Sequence, residues 1–124
     1  MQIYQGIDLV DVRRFQSAME RQGKRFRDRI FTRREQSYCE PKRMKYEHYA
    51  ARFAAKEAAL KVIPKKGNYA MTDIEVRKHA TGKPYLYVAP AVRKRMGIPK
   101  NAVFELSLTH EREAAMAAVL LVIP

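Results

Sequence analysis

Residues Arg52–Lys61 read RFAAKEAALK, an alanine-rich stretch with a glutamate at its centre and a lysine on each side. Alanine has the highest helix propensity and nothing in the stretch breaks a helix, so a helix is predicted here. Counting outward, Tyr46, Tyr49, Ala50, Phe53, Glu57 and Leu60 follow the three-and-four spacing of one stripe. The pattern predicts the longest helix from Lys42 to about Ile63, closed by Pro64 and the turn KKGN. That register gives Glu57 a core position, where an ionised carboxylate is costly unless paired, hydrogen-bonded or bound to a cation. Lys61 falls one turn further on the same face. Lys56 points about 100° around the helix and reads as a surface or interface charge.

Upstream, IYQGIDLV is predicted as a strand, with Ile3, Gln5, Ile7 and Leu9 on one face and Tyr4, Gly6, Asp8 and Val10 on the other. Asp8 is thus a second acid among strand hydrophobics. A helix is predicted from about Asp11, with Val12, Phe15, Ala18 and Met19 as its stripe and Gly23 as its stop. TRRE, Thr32–Glu35, has the form of a capping box for a helix ending before Pro41. Downstream, DIEV and PYLYV around HATGK predict one hairpin, and AVFELSLTH and AAMAAVLLVI around EREA a second. A short helix between them has Pro90 near its start and Gly97 at its end. Phe104, Leu106 and Leu108 alternate with Glu105, Ser107 and Thr109, giving one buried face. The expected class is α+β: an N-terminal strand, helices including a long central one, and an antiparallel sheet completed by C-terminal hairpins.

The length of 124 residues fits one domain, 1–124, able to bury a core without staples. No apolar run reaches the roughly 20 residues needed to cross a bilayer, and the N-terminus lacks the pattern of an export signal, so a cytoplasmic protein is expected. Cys39 is the single cysteine, and His48, His79 and His110 are scattered, which argues against disulfides and zinc. Lys and Arg number 25 against 13 Asp and Glu, a formal net charge of +12. Such a field draws in nucleic acid, a phosphorylated cofactor or an acidic protein. Nine arginines and lysines between Arg13 and Arg34 crowd the first third of the chain and together read as a docking surface.

Asp8 and Glu57 admit two readings. Carboxylates suit magnesium, which uses one or two protein acids and fills its other positions with water and substrate phosphate, and Lys61 would reach that phosphate. Alternatively Glu57 pairs with Lys61 as an i,i+4 ion pair and Asp8 caps the next helix or accepts backbone amides. Spacing alone favours the second reading, because structural ion pairs outnumber metal sites.

The motifs as a set tip the balance. GIDLV at Gly6–Val10, RFAAKEAALK at Arg52–Lys61, GKPYL at Gly82–Leu86 and SLTHE at Ser107–Glu111, with RIFTRRE at Arg29–Glu35, resemble the holo-acyl-carrier-protein synthase type of 4'-phosphopantetheinyl transferase, in order and over nearly the whole chain. The resemblance implies the 4'-phosphopantetheinyl transferase fold. It implies magnesium-dependent transfer of phosphopantetheine from coenzyme A to a serine of an acidic apo acyl carrier protein in fatty acid biosynthesis, with release of adenosine 3',5'-bisphosphate. It implies Asp8 and Glu57 as metal ligands, Glu57 and Lys61 as catalytic groups, and Arg52, Lys61, Lys65, Lys83, Pro84 and His110 around coenzyme A. Arg14, Arg21 and Arg25 resemble the family's carrier-docking arginines, and a homotrimer with sites between protomers is implied by analogy. The chain departs from the family at VIPKKGN, Val62–Asn68, where a glycine-rich turn is common and only Gly67 is present; Lys65 and Lys66 would substitute side-chain charge. The rival readings are a basic nucleic-acid-binding protein, which leaves the two acids unexplained, and a catalytically silent carrier-binding module. The transferase reading expects neither nucleic acid nor membrane as partner.

Overall fold

Strand β1, Gln2–Asp11, runs directly into helix α1, Val12–Ile30, because Asp11 accepts a 3.1 Å hydrogen bond from the Arg14 amide and caps the helix. The computed structural model describes residues 1–124. Helix α2, Arg33–Cys39, begins at the expected capping box: Thr32 accepts from the Glu35 amide at 3.2 Å and Glu35 from the Thr32 amide at 2.9 Å. Helix α3, Lys45–Leu60, follows, then the hairpin β2, Glu75–Lys78, with β3, Pro84–Tyr87. The short α4, Pro90–Met96, leads to the second hairpin, β4, Val103–His110, and β5, Ala114–Ile123. Both hairpins and the starts of α1, α2 and α4 fall where the sequence places them.

The three long strands form an antiparallel sheet in the order β1-β5-β4, with Gly6 opposite Val119 and Asp8 opposite Ala117. Helix α3 lies on one face of this sheet, where Ala54, Ala55, Ala58 and Ala59 are fully buried against Ala117, Val119 and Leu121. Small side chains let helix and sheet approach closely. The approach is closest at Gly6, where an added Cβ would collide with the Ala58 carbonyl oxygen and press on Val62. A second core forms on the other side of α3, where Tyr49, Ala50 and Ala51 meet Phe15, Met19 and Phe31.

Helix α3 starts three residues after Lys42 and ends three before Ile63. Met44 offers no side-chain cap at one end, and Pro64 disfavours helical backbone in the residue before it at the other. Its buried face is also rotated from the stripe of large residues: Tyr46, Phe53, Glu57 and Leu60 are only half-buried, and the alanines fill the interior. Lys56, expected at the surface, is fully buried. Its Nζ lies 2.7 Å from Glu35 Oε1 and donates to the carbonyls of Ile74 at 2.7 Å and Met71 at 3.0 Å. Burial pushes the lysine below its usual pKa, and the Glu35 carboxylate opposes that shift.

Gly23 stops the first helical segment as expected, but the chain resumes as helix at once, so α1 has two arms. Its φ of 69° and ψ of −151° suit glycine alone. The rings of Phe15 and Phe26 sit 6.1 Å apart across this bend, where eleven residues of straight helix would span about 16 Å.

Candidate active site

The close approach at Gly6 brings β1 against α3, and two residues further along the strand Asp8 meets the Glu57–Lys61 turn of the helix. Lys61 Nζ donates to the Ile7 carbonyl at 2.5 Å and lies 3.6 Å from Asp8 Oδ1. It forms no ion pair with Glu57, and the helix cap after β1 is Asp11, not Asp8. Both bland accounts of the two acids are therefore replaced by one cluster of Asp8, Glu57 and Lys61. Burial pushes the Glu57 carboxyl above its usual range, the Asp8 charge pushes it further, and Lys61 draws it back only in part. Two carboxylates that repel each other beside one lysine make a site that gains from a cation.

The Glu57 shift has a sign that can be tested. A carboxyl whose folded pKa exceeds its unfolded value of 4.5 stabilises the fold below that value, and the contribution is lost as pH rises through the folded pKa. Glu57→Gln is accordingly expected to raise the Tm at pH 7 in metal-free buffer, with the gain shrinking below pH 4.5; thermal melts across pH measure it.

Asp8 and Glu57 lie in a cleft of about 710 Å³ whose walls carry Arg14, Arg21, Phe15 and Phe53. Arg14 and Arg21, on the first arm of α1, and Arg25, just past the Gly23 bend, form no ion pair within the chain.

Arg52 and His110 belong to a different array, around Tyr38 at the end of α2. The Arg52 guanidinium stacks on the Tyr38 ring at 3.9 Å, with Lys42 Nζ 4.5 Å and Lys78 Nζ 4.9 Å from the same ring. Lys78 also donates to the Tyr38 hydroxyl at 2.9 Å. Burial pushes the Tyr38 phenol up, but the Lys78 hydrogen bond and the charges of Arg52, Lys78 and Lys42 outweigh it, and its pKa is lowered. The array continues through His48 to His110, whose rings lie 4.8 Å apart, and His110 Nδ1 is 2.9 Å from Glu47 Oε1. Burial, with the charges of His110, Arg52 and Lys42, holds His48 down to about 4, so its ring is neutral at pH 7. Arg52 is buried, yet its Nε has no hydrogen-bond partner. Three cations around one phenol, with an orphaned donor among them, are arranged to accept an anion.

Lys83 and Pro84 stand elsewhere, at the β2–β3 turn, where Lys83 pairs with Glu105 at 3.3 Å beside a hollow lined by Tyr85, Arg93 and Phe104. Lys65 and Lys66 are exposed on the loop after α3, which is tied to α4 by the Lys65 amide donating to the Met96 carbonyl at 2.9 Å. Within one chain the residues expected around coenzyme A thus fall into separate groups. Tyr38, His48 and Lys78 escaped the sequence reading; the i,i+4 spacing of His48 and Arg52 was the available signal. Cys39 is buried with its thiol pushed up to about 12, chiefly by burial, which leaves it inert as a nucleophile.

The sequence profile of the 4'-phosphopantetheinyl transferase superfamily matches residues 5–119. The holo-[acyl-carrier-protein] synthase of Solibacter usitatus is 42% identical over 121 residues, covering 94% of each chain. The Chronobacterium ammoniagenes ACPS–CoA complex superposes with a TM-score of 0.83 at 27% identity, over 98% of this chain and 97% of that one. The Bacillus anthracis holo-(acyl-carrier-protein) synthase in complex with CoA (3',5'-ADP) gives a TM-score of 0.76 at 30% identity, over 94% and 93%.

Proposed function

The chain belongs to the 4'-phosphopantetheinyl transferase superfamily, and on that premise we propose how its residues divide the work of a holo-[acyl-carrier-protein] synthase. It is an enzyme that moves the phosphopantetheine group of coenzyme A to an apo acyl carrier protein. The proposal concerns the finer steps: magnesium at Asp8 and Glu57, release of adenosine 3',5'-bisphosphate, and a place in cytoplasmic fatty acid biosynthesis. Residues 1–124 act as one transferase domain. The observation that carries the site assignment is that Asp8 and Glu57 line one cleft, with Lys61 Nζ 3.6 Å from Asp8.

The donor set fits magnesium. Both groups are hard carboxylates lining one cleft, and magnesium uses one or two such protein ligands, filling its other positions with water and substrate phosphate. Magnesium, when bound, neutralises charge on the diphosphate and on the departing bisphosphate. Lys61, already held by the Ile7 carbonyl and Asp8, directs its ammonium at the transferring phosphate. Glu57, made more basic by burial and by Asp8, takes the proton of the attacking serine hydroxyl directly or through a water. The serine oxygen forms a bond to the phosphorus bearing pantetheine, and the bond to the nucleotide phosphate breaks. Arg52 and His110 hold coenzyme A phosphates, Lys65 adds charge to a phosphate from the loop after α3, and Lys83 and Pro84 lie toward the nucleotide.

Arg14, Arg21 and Arg25 dock the acidic carrier. Electrostatic docking governs encounter more than chemistry, so Arg14→Glu is expected to raise the carrier KM by about tenfold with little change in kcat, and added salt to narrow the difference. Steady-state kinetics with varied carrier and salt measure this. A homotrimer with sites between protomers completes the proposal. It is supported by the sheet face opposite α3, where Ile3, Ile7 and Leu9 are 59%, 52% and 63% exposed in the single chain. A second copy would also bring the separated coenzyme A groups together.

The direct test incubates the protein with coenzyme A, magnesium and apo acyl carrier protein and weighs the carrier by mass spectrometry. The phosphopantetheine increment is expected, and EDTA is expected to stop it. Unchanged transfer in EDTA would remove the metal from the scheme.

A further inference from the structure

The buried ion pair between Lys56 and Glu35 does more than fill the core. It joins three elements: α3 through Lys56, α2 through Glu35, and β2 through the Val76 amide, which donates to Glu35 Oε2 at 2.8 Å. Each of these elements also supplies one member of the cation array. Arg52 lies one helical turn before Lys56, Tyr38 one turn after Glu35, and Lys78 two residues after Val76 on the same strand face. Hub and array therefore repeat the same three-element junction, one step apart. No carboxylate pairs with Arg52 or Lys78, since the one acid in the array, Glu47, contacts His110, so the cations around Tyr38 repel one another without an ion pair between them. The hub is both charged and fully enclosed, and its carboxylate and ammonium between them also bind the Thr32 amide and the Met71 and Ile74 carbonyls. Such bonds in a water-free interior are stiff, and breaking one leaves an unpaired buried group.

We propose that the Lys56–Glu35 pair is a positioning device that fixes Tyr38, Arg52 and Lys78 in register to grip a phosphate group of coenzyme A. The proposal rests on reading the Tyr38 array as a coenzyme A phosphate wall. Lys56 does not touch the substrate; it acts through Arg52 on its own helix and through Glu35 on Tyr38. Its loss therefore reads out in coenzyme A affinity, separately from carrier recognition, which uses the arginines of α1.

The experiment measures coenzyme A KM and carrier KM for the Lys56→Met, Glu35→Gln double variant, for Glu35→Gln alone, and for Arg52→Gln, each checked for folding by circular dichroism. The double variant removes both buried charges together. Glu35→Gln keeps one oxygen for either the Thr32 or the Val76 amide, which bond to different oxygens of the carboxylate. The comparison is made on whichever hub variants keep the wild-type circular dichroism, and failure of every hub variant to fold would show a general structural role and overturn the proposal. The expected result is a coenzyme A KM raised about tenfold or more in hub variants, with the carrier KM held within about twofold, since loosened registration alone costs rate and affinity at that scale. Hub variants with wild-type coenzyme A KM, while Arg52→Gln raises it, would overturn the proposal and leave the phosphate wall standing. Both KM values rising together would mark general loosening and overturn it too. An Arg52→Gln protein with unchanged coenzyme A KM would remove the phosphate wall, and the positioning role with it.

Discussion

Glu57→Ala is expected to lower phosphopantetheine transfer by at least ~10³-fold, a loss of about 4 kcal/mol of transition-state stabilisation, while the circular dichroism spectrum stays that of the wild type. The side chain is half-buried and packs no core residue whose loss would collapse the helix; the alanines around it carry the packing. Its cost to the fold, an acid pushed upward by burial and by Asp8, is a cost that evolution retains only for a use. Asp8→Asn preserves shape and removes the second charge, and an equal loss is expected. Because the two acids act on one ion, the double variant should be no slower than either single one beyond about threefold, the signature of groups that work as a unit. Single-turnover mass spectrometry of the carrier at saturating coenzyme A measures all three.

The second large effect comes from a residue without a side chain. Gly6→Ala places a methyl group against the Ala58 carbonyl oxygen, and backbone on a packed helix cannot swing aside. Overpacking of this severity is expected to cost about 3 kcal/mol, which for a domain of this size lowers the Tm by roughly 10 °C. The functional loss should exceed what unfolding explains. Pushing β1 away from α3 separates Asp8 from Glu57, and a displacement of about 1 Å in a catalytic pair costs ~10²-fold in rate. The check is kcat measured well below the variant's Tm, on protein whose folded fraction has been verified. A folded Gly6→Ala enzyme with wild-type kcat would show that the strand–helix distance at this point does not set the site.

These two effects also mark what the sequence could and could not display. The capping box at Thr32–Glu35, the turn at Gly82 and the break at Gly23 are written in neighbouring residues, so they could be read directly. Asp8 and Glu57 were visible because a carboxylate among apolar positions is out of place wherever the chain takes it. Lys56 was not, since helical angle gives a direction but not what waits there. The turn at Met71–Ile74 and the carboxylate of Glu35 arrive from opposite sides along the chain and turn a supposed surface charge into a buried hub. The rotation of α3 has a similar cause: the three-and-four spacing follows its largest side chains, whereas close packing on the sheet selects the smallest. Tyr38 sits in a seven-residue helix too short for periodicity, so only the folded chain reveals that Arg52, Lys42 and Lys78 surround its ring.

The claim on which the account turns is that Asp8 and Glu57 share one divalent ion. Crystals of the enzyme grown with coenzyme A and manganese, a magnesium substitute with an anomalous signal, locate that ion directly. A single anomalous peak contacting both carboxylates and the diphosphate is expected. A bound coenzyme A with its manganese held elsewhere, and neither Asp8 nor Glu57 in contact with it, would contradict the account.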